Sequence, residues 1–487
     1  MNGLPRVPLS AVASSAPGSA IGGNADTPIA EVAFDTRDVP RDALFFCVPG
    51  AHADGHDLAA EALRAGAAAL VVERWLDLDA PQVLVPSVRR AMGPMSSAVF
   101  GHPGDSITLV GITGTNGKTT VVHVLDPIFH AAGHAATGVV GTVGTRIAGE
   151  PVPVERTTPE APDLQRLLAR MRDAGVDAAA IEVSSHALDQ DRVGGLVFDA
   201  AVFTNLSQDH LDYHGSMEAY FEAKASLFVP ERTEHAVIGL DDPWGRRLLD
   251  VGVPVTTYGL DPEADVRATE VRATPEGIAF HALGRAVTST LRGSFNVSNC
   301  LAAIAASVVL GIDPEAAIRG VADAGQVPGR MEAVAAGQDF LAVVDYAHTP
   351  DSIRTVLAAA RPLATGRVIV VFGCGGDRDR AKRFPMGAAA TEGADLTVIT
   401  TDNPRSEDPL AIIAEVERGA AAGRGPFVVE PDRRRAIRLA FGEARAGDVV
   451  VIAGKGHEPT QTFADRTVPF DDRVVAREEL LAIGDAR

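Results

Sequence analysis

Cysteine is scarce in this chain. Cys47, Cys300 and Cys374 stand far apart and are odd in number. No disulfide framework or zinc cluster follows from them, and a reducing compartment is expected. Each reads as a small buried apolar residue. Positive charge is also short: 44 lysines and arginines face 64 aspartates and glutamates, a formal charge of −20. A general nucleic-acid binder would show a basic face, so that class is set aside, while a local basic pocket for an anionic small molecule remains open. The longest apolar runs, such as Leu301–Leu310, are too short to span a bilayer. The N-terminus lacks a basic start followed by an apolar core, so no signal peptide is expected. Internal repeats and long low-complexity tracts are missing too. The expectation is a soluble cytoplasmic protein, monomeric, with no nucleic-acid partner.

Hydrophobic residues make up 46% and charged residues 22% of the 487, an ordinary globular balance that excludes a mainly disordered chain. At about 150 residues per domain, the length corresponds to about three domains. Residues 1–28, rich in Ala, Ser, Gly and Pro, read as poorly ordered at the start. Short strands at Ala43–Val48, Ala68–Val72 and Gln82–Val85, with a helix at Leu58–Ala65, outline a small α/β unit ending near Val99. His102-Pro103-Gly104-Asp105 reads as a linker. Short apolar runs at Ile107–Ile112, Ala178–Val183, Ala200–Phe203 and Ala236–Ile238 have the character of parallel strands. After a turn near Val327–Arg330, a third alternating unit carries strands at Leu341–Asp345, Arg367–Phe372, Leu396–Thr400 and Val449–Ala453. Helices are expected at Asp351–Ala360 and Pro409–Ala422. The fold class is α/β with mostly parallel sheets, divided at 1–104, 105–329 and 330–487.

Gly111-Ile112-Thr113-Gly114-Thr115-Asn116-Gly117-Lys118-Thr119-Thr120 follows a strand and opens a helix. Glycines there let backbone N–H groups converge on phosphate oxygens, and the helix N-terminus adds positive potential. Lys118 would reach the β/γ-phosphates and the Thr119 hydroxyl would bind Mg²⁺. The usual frame would place its first glycine where Ile112 stands, so an ordinary strand–turn–helix glycine cluster is the plain alternative. Pro127 lies about two turns into the next helix and is expected to kink or end it. Glu182 ends a buried strand, where a carboxylate beside a phosphate loop would meet Mg²⁺. Asp209-His210-Leu211-Asp212-Tyr213-His214 can be read as a metal cluster or as a capped turn. Lys224, in a helical pattern, reads by itself as a solvated lysine.

Gly114–Thr120 resembles the ATP loop of the Mur ligases, which join amino acids to a peptidoglycan precursor. Glu182–His186, Asn205–Asp212, Gly329-Arg330-Met331-Glu332 and Asp345-Tyr346-Ala347-His348-Thr349-Pro350 resemble further motifs of that family, in the same order along the whole chain. The resemblance implies an N-terminal UDP-sugar domain, a central ATPase domain and a C-terminal Rossmann-like domain for the amino acid. It assigns ATP to Gly114, Thr115, Asn116, Gly117, Lys118, Thr119, Thr120, Asn296, Asn299, Arg330, Asp345 and His348. Within that set, Asn296 would face adenine, Asp345 the ribose and Arg330 the phosphates. It gives two Mg²⁺ ions, with Thr119, Glu182, His210 and a carbamylated Lys224 as ligands. Lys118, Glu182, His210 and Lys224 form the catalytic set. Carbamylation requires the lysine amine to be neutral at times, so burial must lower its pKa.

Thr157, Thr158, Ser184, Gln190 and Arg192 match family positions that hold the muramoyl peptide, and Thr36, His52, Ala53 and Asp54 lie in runs similar to the UDP loops. Without the family, these last are two polar turns after strands. In the third unit, Gly373–Arg380, Asp402-Asn403-Pro404-Arg405 and Gly454-Lys455-Gly456-His457-Glu458 each follow a strand, and all three would converge at one cleft. Arg378 and Arg405 offer bidentate binding to a carboxylate, and Glu458 can hold an ammonium. With Asp402, Asn403, Pro404 and Gly454, they fit an amino acid bearing both groups at its far end, meso-diaminopimelate. Asp402–Arg405 resembles the signature of the family's diaminopimelate-adding branch. The implied reaction extends UDP-N-acetylmuramoyl-L-alanyl-D-glutamate by that amino acid, through an acyl phosphate made with ATP. A lysine-adding or folylpolyglutamate-type ligase, or an ATP-dependent switch built on a dead ligase, are the rivals.

Overall fold

A computed structural model describes residues 6–50 and 53–484. Three sheets organise it. The first has five strands in the order Ala20–Gly22, Gln82–Leu84, Ala67–Val72, Ala43–Phe46, Glu31–Ala33, parallel except for the first. Alternation along Ala43–Phe46 sends Leu44 and Phe46 to a core shared with the helices Leu9–Ser14 and Val88–Val99. Phe45 and Cys47 face the helix Ala59–Ala65 on the other side.

The middle sheet has nine strands. From one edge they run Glu150–Val152, Thr145–Ile147, Thr137–Val140, Ala178–Glu182, Thr108–Thr113, Ala200–Phe203, Ala236–Gly239, Val255–Gly259, Val266–Arg267. All are parallel apart from the hairpin at the first edge. Helices cover both faces, so the central strands are apolar throughout: Ala178 to Ile181 are wholly buried. The chain leaves Thr108–Thr113 toward one edge and leaves Ala200–Phe203 toward the other. That reversal opens a crevice at the carboxyl ends of these two neighbours, where ligands bind in such sheets.

The third sheet runs Glu332–Ala333, Leu341–Asp345, Val449–Ala453, Val368–Phe372, Leu396–Ile399, Phe427–Val429, parallel but for its first strand. The three stretches Gly373–Arg380, Asp402–Arg405 and Gly454–Glu458 all leave its carboxyl edge, as their spacing predicted. No helix among the described residues is long and apolar enough to cross a membrane.

Several expectations are corrected. Residues 6–28 are built into the first unit: Leu9–Ser14 is helical, with Leu9, Val12 and Ala13 buried. The 88–99 segment, to which the sequence assigned no element, is a helix that carries Pro94 in its interior. At the His102–Asp105 linker, Pro103–Ser106 forms a 3-10 turn. Pro127 does not end its helix, which runs unbroken over Lys118–Ala131. Tertiary packing holds it there. Leu125, Ile128 and Phe129 are fully buried, and Gly320 lets the helix Pro314–Asp323 come against the backbone at Ile128.

The first unit docks on the middle one through close backbone contact and ion pairs. Arg166 donates to the Glu31 carboxylate at 3.1 Å and to the Val32 carbonyl at 2.8 Å, and Arg89 pairs with Glu160 at 2.6 Å. A Cβ on Gly93 would lie 2.0 Å from the Gly194 carbonyl oxygen. Gly93→Ala must therefore push helix and turn apart, at a cost of about 1–3 kcal/mol. A lowered thermal midpoint in scanning calorimetry is the expected result, and an unchanged midpoint would show that the contact yields freely.

Candidate active site

The phosphate loop sits at the crevice of the middle sheet. Gly114 and Gly117 take positive φ values of 145° and 91°. A side chain would also have no room: a Cβ would stand 1.8 Å from Thr204 Oγ1 at Gly114 and 2.3 Å from Asn299 Oδ1 at Gly117. Lys118 opens the helix and curls back, donating to the carbonyls of Gly114 at 3.0 Å and Thr115 at 2.9 Å. Lys224, wholly buried in the helix Met217–Ala225, donates to the same Gly114 carbonyl at 2.7 Å and lies over the Tyr220 ring. Burial pushes the Lys224 ammonium well below its ordinary pKa, and the nearby Lys118 adds to the shift. Burial lowers Lys118 as well, against the pull of Glu182 and Asp209.

Glu182 is buried at the end of its strand. It accepts the Thr142 N–H at 2.8 Å and the Thr142 hydroxyl at 3.1 Å. His210 follows the next strand in a left-handed conformation, φ 54°, and begins the short helix Leu211–His214. No side-chain hydrogen bond caps that helix. Burial first, then Lys118 and Lys224, brings His210 down to about 4 despite Asp209, so its ring is neutral at pH 7. Asp209 is raised by burial but brought below its ordinary value overall by His348, His210 and Lys382.

A cavity of about 550 Å³ gathers most of these groups, but Lys224 is not in its lining. Thr115 to Thr120, Thr157, Glu182, Ser184, His210, Asn299, Arg330, Asp345 and His348 all line it. Arg330 reaches from the third unit to the Thr119 hydroxyl at 3.3 Å and stacks on the Tyr346 ring. Asp345 accepts the backbone N–H groups of Met331 and Ala347, each at 2.8 Å. Asn296 is not in the lining: it is fully buried, donates to the Arg292 carbonyl and accepts from Asn299. Among the described residues no three His, Cys, Asp or Glu side chains form a ready metal cage. The donors present are a hydroxyl, a carboxylate and a neutral imidazole around one cavity. They suit a cation that completes its shell with phosphate oxygens and water.

Thr158, Ser184, Gln190 and Arg192 form one network beside Glu182. Thr158 donates to the Glu182 carbonyl at 2.7 Å, and Arg192 donates to the Thr158 carbonyl and to Gln190 Oε1. Thr157 joins through the Thr142 hydroxyl at 3.0 Å. Glu160 was missed by the sequence reading. It is buried and pairs with Arg156 four residues before it and with the distant Arg89 and Arg192. Tyr346 and Asp209 lay inside quoted motifs without an assigned part. In the first unit, Asp54 is engaged by His56 and Arg74, which hold its carboxyl down at about 2. The Ala53 carbonyl accepts the Gly50 N–H, Thr36 lies on the loop after Glu31–Ala33, and His52 falls outside the described residues. Of the described residues in this set, none reaches the cavity.

At the third sheet the three loops touch. Arg405, φ 52°, donates to the Gly376 carbonyl at 2.7 Å, and Asn403 donates to Glu458 at 2.7 Å. A Cβ on Gly454 would lie 2.5 Å from Asp402, and one on Gly376 would lie 1.9 Å from the Pro404 carbonyl. Arg378 is exposed at the rim.

Residues 28–99 match the Mur ligase family catalytic domain, 112–307 the Mur ligase middle domain and 329–456 the Mur ligase glutamate ligase domain. The chain belongs to the Mur ligase family. It is 47% identical over 468 residues to a UDP-N-acetylmuramoyl-L-alanyl-D-glutamate–2,6-diaminopimelate ligase of Geobacillus thermodenitrificans, covering 94% of this chain and 95% of that one. The protein of that name in Gloeobacter violaceus is 49% identical over 464 residues, covering 93% and 94%. A solved structure of a ligase of that name aligns with a TM-score of 0.71 at 33% identity, over 98% of this chain and 99% of that one. The Thermotoga maritima MurF ligase, solved with ADP, shares the fold: TM-score 0.64, 20% identity, 93% and 98% covered.

Gly117→Ala tests the phosphate loop. It is expected to weaken ATP binding at least about tenfold, since both the left-handed backbone and the Asn299 contact resist a side chain. Calorimetric titration with ATP measures it, and unchanged affinity would reject the loop as the nucleotide site.

Proposed function

We propose that the protein is an ATP-dependent ligase that adds meso-2,6-diaminopimelate to UDP-N-acetylmuramoyl-L-alanyl-D-glutamate, in cytoplasmic synthesis of the peptidoglycan precursor. The observation that carries this reading is the meeting of three loops at the carboxyl edge of the third sheet: Arg405 donates to the Gly376 carbonyl, the Gly376 N–H donates to the Asn403 carbonyl, and the Asn403 amide donates to Glu458. A guanidinium fits the distal carboxylate of such an amino acid and a carboxylate fits its distal ammonium. The names of the relatives, 46–49% identical over more than nine tenths of the chain, support the same choice.

A carboxylate is a poor electrophile. In the proposed reaction, the glutamate side-chain carboxylate of the muramoyl dipeptide attacks the γ-phosphorus of ATP, giving an acyl phosphate and ADP. The amino acid's amine then attacks the acyl carbon, phosphate leaves with the C–O bond, and the amine's surplus proton goes to solvent. Lys118 would leave its loop carbonyls and meet the transferring phosphoryl group, balancing the charge that spreads over its oxygens. Thr119, Glu182 and His210, with a carbamate on Lys224, would hold Mg²⁺; two ions would supply further charge neutralisation. His210 suits that place because its ring is neutral, and Lys224 suits carbamylation because burial favours its free amine. The Thr158–Arg192 network would hold the dipeptide with its carboxylate toward the phosphate loop. Thr36, His52, Ala53 and Asp54 would meet the uridine diphosphate end. Closure of the units would exclude water from the acyl phosphate.

The deciding experiment measures phosphate release with ATP, Mg²⁺ and the UDP-muramoyl dipeptide, adding each candidate amino acid in turn. Release with meso-diaminopimelate, and a product heavier by one such residue, is the expected result. Release with lysine instead would overturn the account of Arg405, and release with neither would reject the ligase reading. Lys224→Ala is expected to lose activity and to regain part of it with short-chain carboxylic acids that stand in for the carbamate. Full activity in the variant would reject the carbamate.

A further inference from the structure

Lys455 belongs to the third-sheet cleft but cannot touch a ligand there. Its side chain is 0% exposed, directly behind Gly454 at the end of the strand Val449–Ala453. An ammonium taken out of water costs several kcal/mol unless polar groups surround it. Three do. Its Nζ donates to the Thr460 carbonyl, and lies 3.5 Å from both Asn403 Oδ1 and Glu458 Oε2. The Thr462 N–H also donates to Asn403 Oδ1, at 2.9 Å. Two donors on that oxygen leave the amide one orientation, with Nδ2 toward Glu458 Oε2 at 2.7 Å. Oε2 is thereby occupied from within, while 31% of the Glu458 side-chain surface stays exposed.

We propose that Lys455 is a positioning residue for amino-acid recognition: from behind the cleft it fixes the Asn403 amide and the Glu458 carboxylate so that Glu458 presents its free oxygen to an incoming ammonium. The inference rests on the reading of this cleft as the diaminopimelate site. It adds a residue that acts only through its neighbours.

The charges around Glu458 explain why such a cation is needed. Burial raises its pKa and Asp402 raises it further, while Lys455 and the Asn403 hydrogen bond oppose them. Glu458 also acts electrostatically on Arg433 and Tyr346, and Arg433 is already paired with Asp472. Without Lys455, Glu458 would hold its proton to a higher pH. A protonated Glu458 has no charge for an ammonium.

Steady-state kinetics of Lys455→Met, Lys455→Arg, Glu458→Gln and the Lys455→Met/Glu458→Gln double variant test this, from mildly acidic to mildly alkaline pH. In Lys455→Met the KM for diaminopimelate is expected to rise about tenfold or more, with the KM for ATP changed by less than about twofold. The acid limb of kcat/KM for diaminopimelate should move to higher pH, and Lys455→Arg, which keeps the cation, should leave that limb in place. In the Glu458→Gln background, Lys455→Met should have little further effect, because its route is already removed. Equal rises in both KM values, an unmoved acid limb, or full additivity in the double variant would overturn the proposal. If Lys455→Met does not fold, a shifted limb in Lys455→Arg overturns it and an unshifted limb with a raised diaminopimelate KM supports it. Failure of the wild-type enzyme to use diaminopimelate would instead sink the parent reading, and so the two failures are distinct.

Discussion

Two lysine ammonium groups donate to one backbone carbonyl, that of Gly114, and much of the middle unit follows from the need to hold them there. Among the described residues no carboxylate bonds either ammonium directly; Glu182 and Asp209 act only at a distance. Like charges so placed repel, and withdrawal from water makes the repulsion stronger. The folded protein tolerates this through the loop's carbonyls, the Tyr220 ring over Lys224 and the depressed pKa of both amines. Anionic ligands relieve it. A triphosphate on the loop and a carbamate on Lys224 would each supply negative charge where the loop has a surplus of cations.

The sheet geometry decides where that surplus points. The crossover reversal beside Thr108–Thr113 opens the crevice, and the strands on either side bring Glu182 and the Asn205–Asp212 segment to its walls. Arg330, Asp345 and His348 then arrive from the third unit, so the cavity is complete only when two units are together. The third sheet repeats the logic with different chemistry. Its loops are tied by the Asn403 amide and by glycines that admit backbone contact, while Arg433 and Asp472 lie fully buried beneath them. Arg433 also donates to the carbonyls of Thr401 and Ala453, at the roots of two of these loops.

Much of this was legible in the residues. Strand runs such as Val368–Phe372 and Val449–Ala453 are apolar end to end because helices cover both faces, and that pattern is local. The phosphate loop was legible because only glycine fits at Gly114 and Gly117. The helix over 88–99 was not, since Gly93 and Pro94 in its middle argue against it locally and packing against the turn at Gly194 overrides them. Pro127 misled for the same reason. Glu160 and Thr142 were missed, because each owes its place mainly to partners distant in the chain.

The order of motifs along the chain determined the family, the α/β class and the residue types of the site, since each depends on short runs whose backbone needs are local. The tertiary structure decided which of those residues share a cavity. It set Asn296 behind the wall, drew Lys224 out of solvent and sent Arg330 across to Thr119. Charge state and orientation depend on burial and on neighbours brought together from separate units, and no local stretch of sequence carries that information.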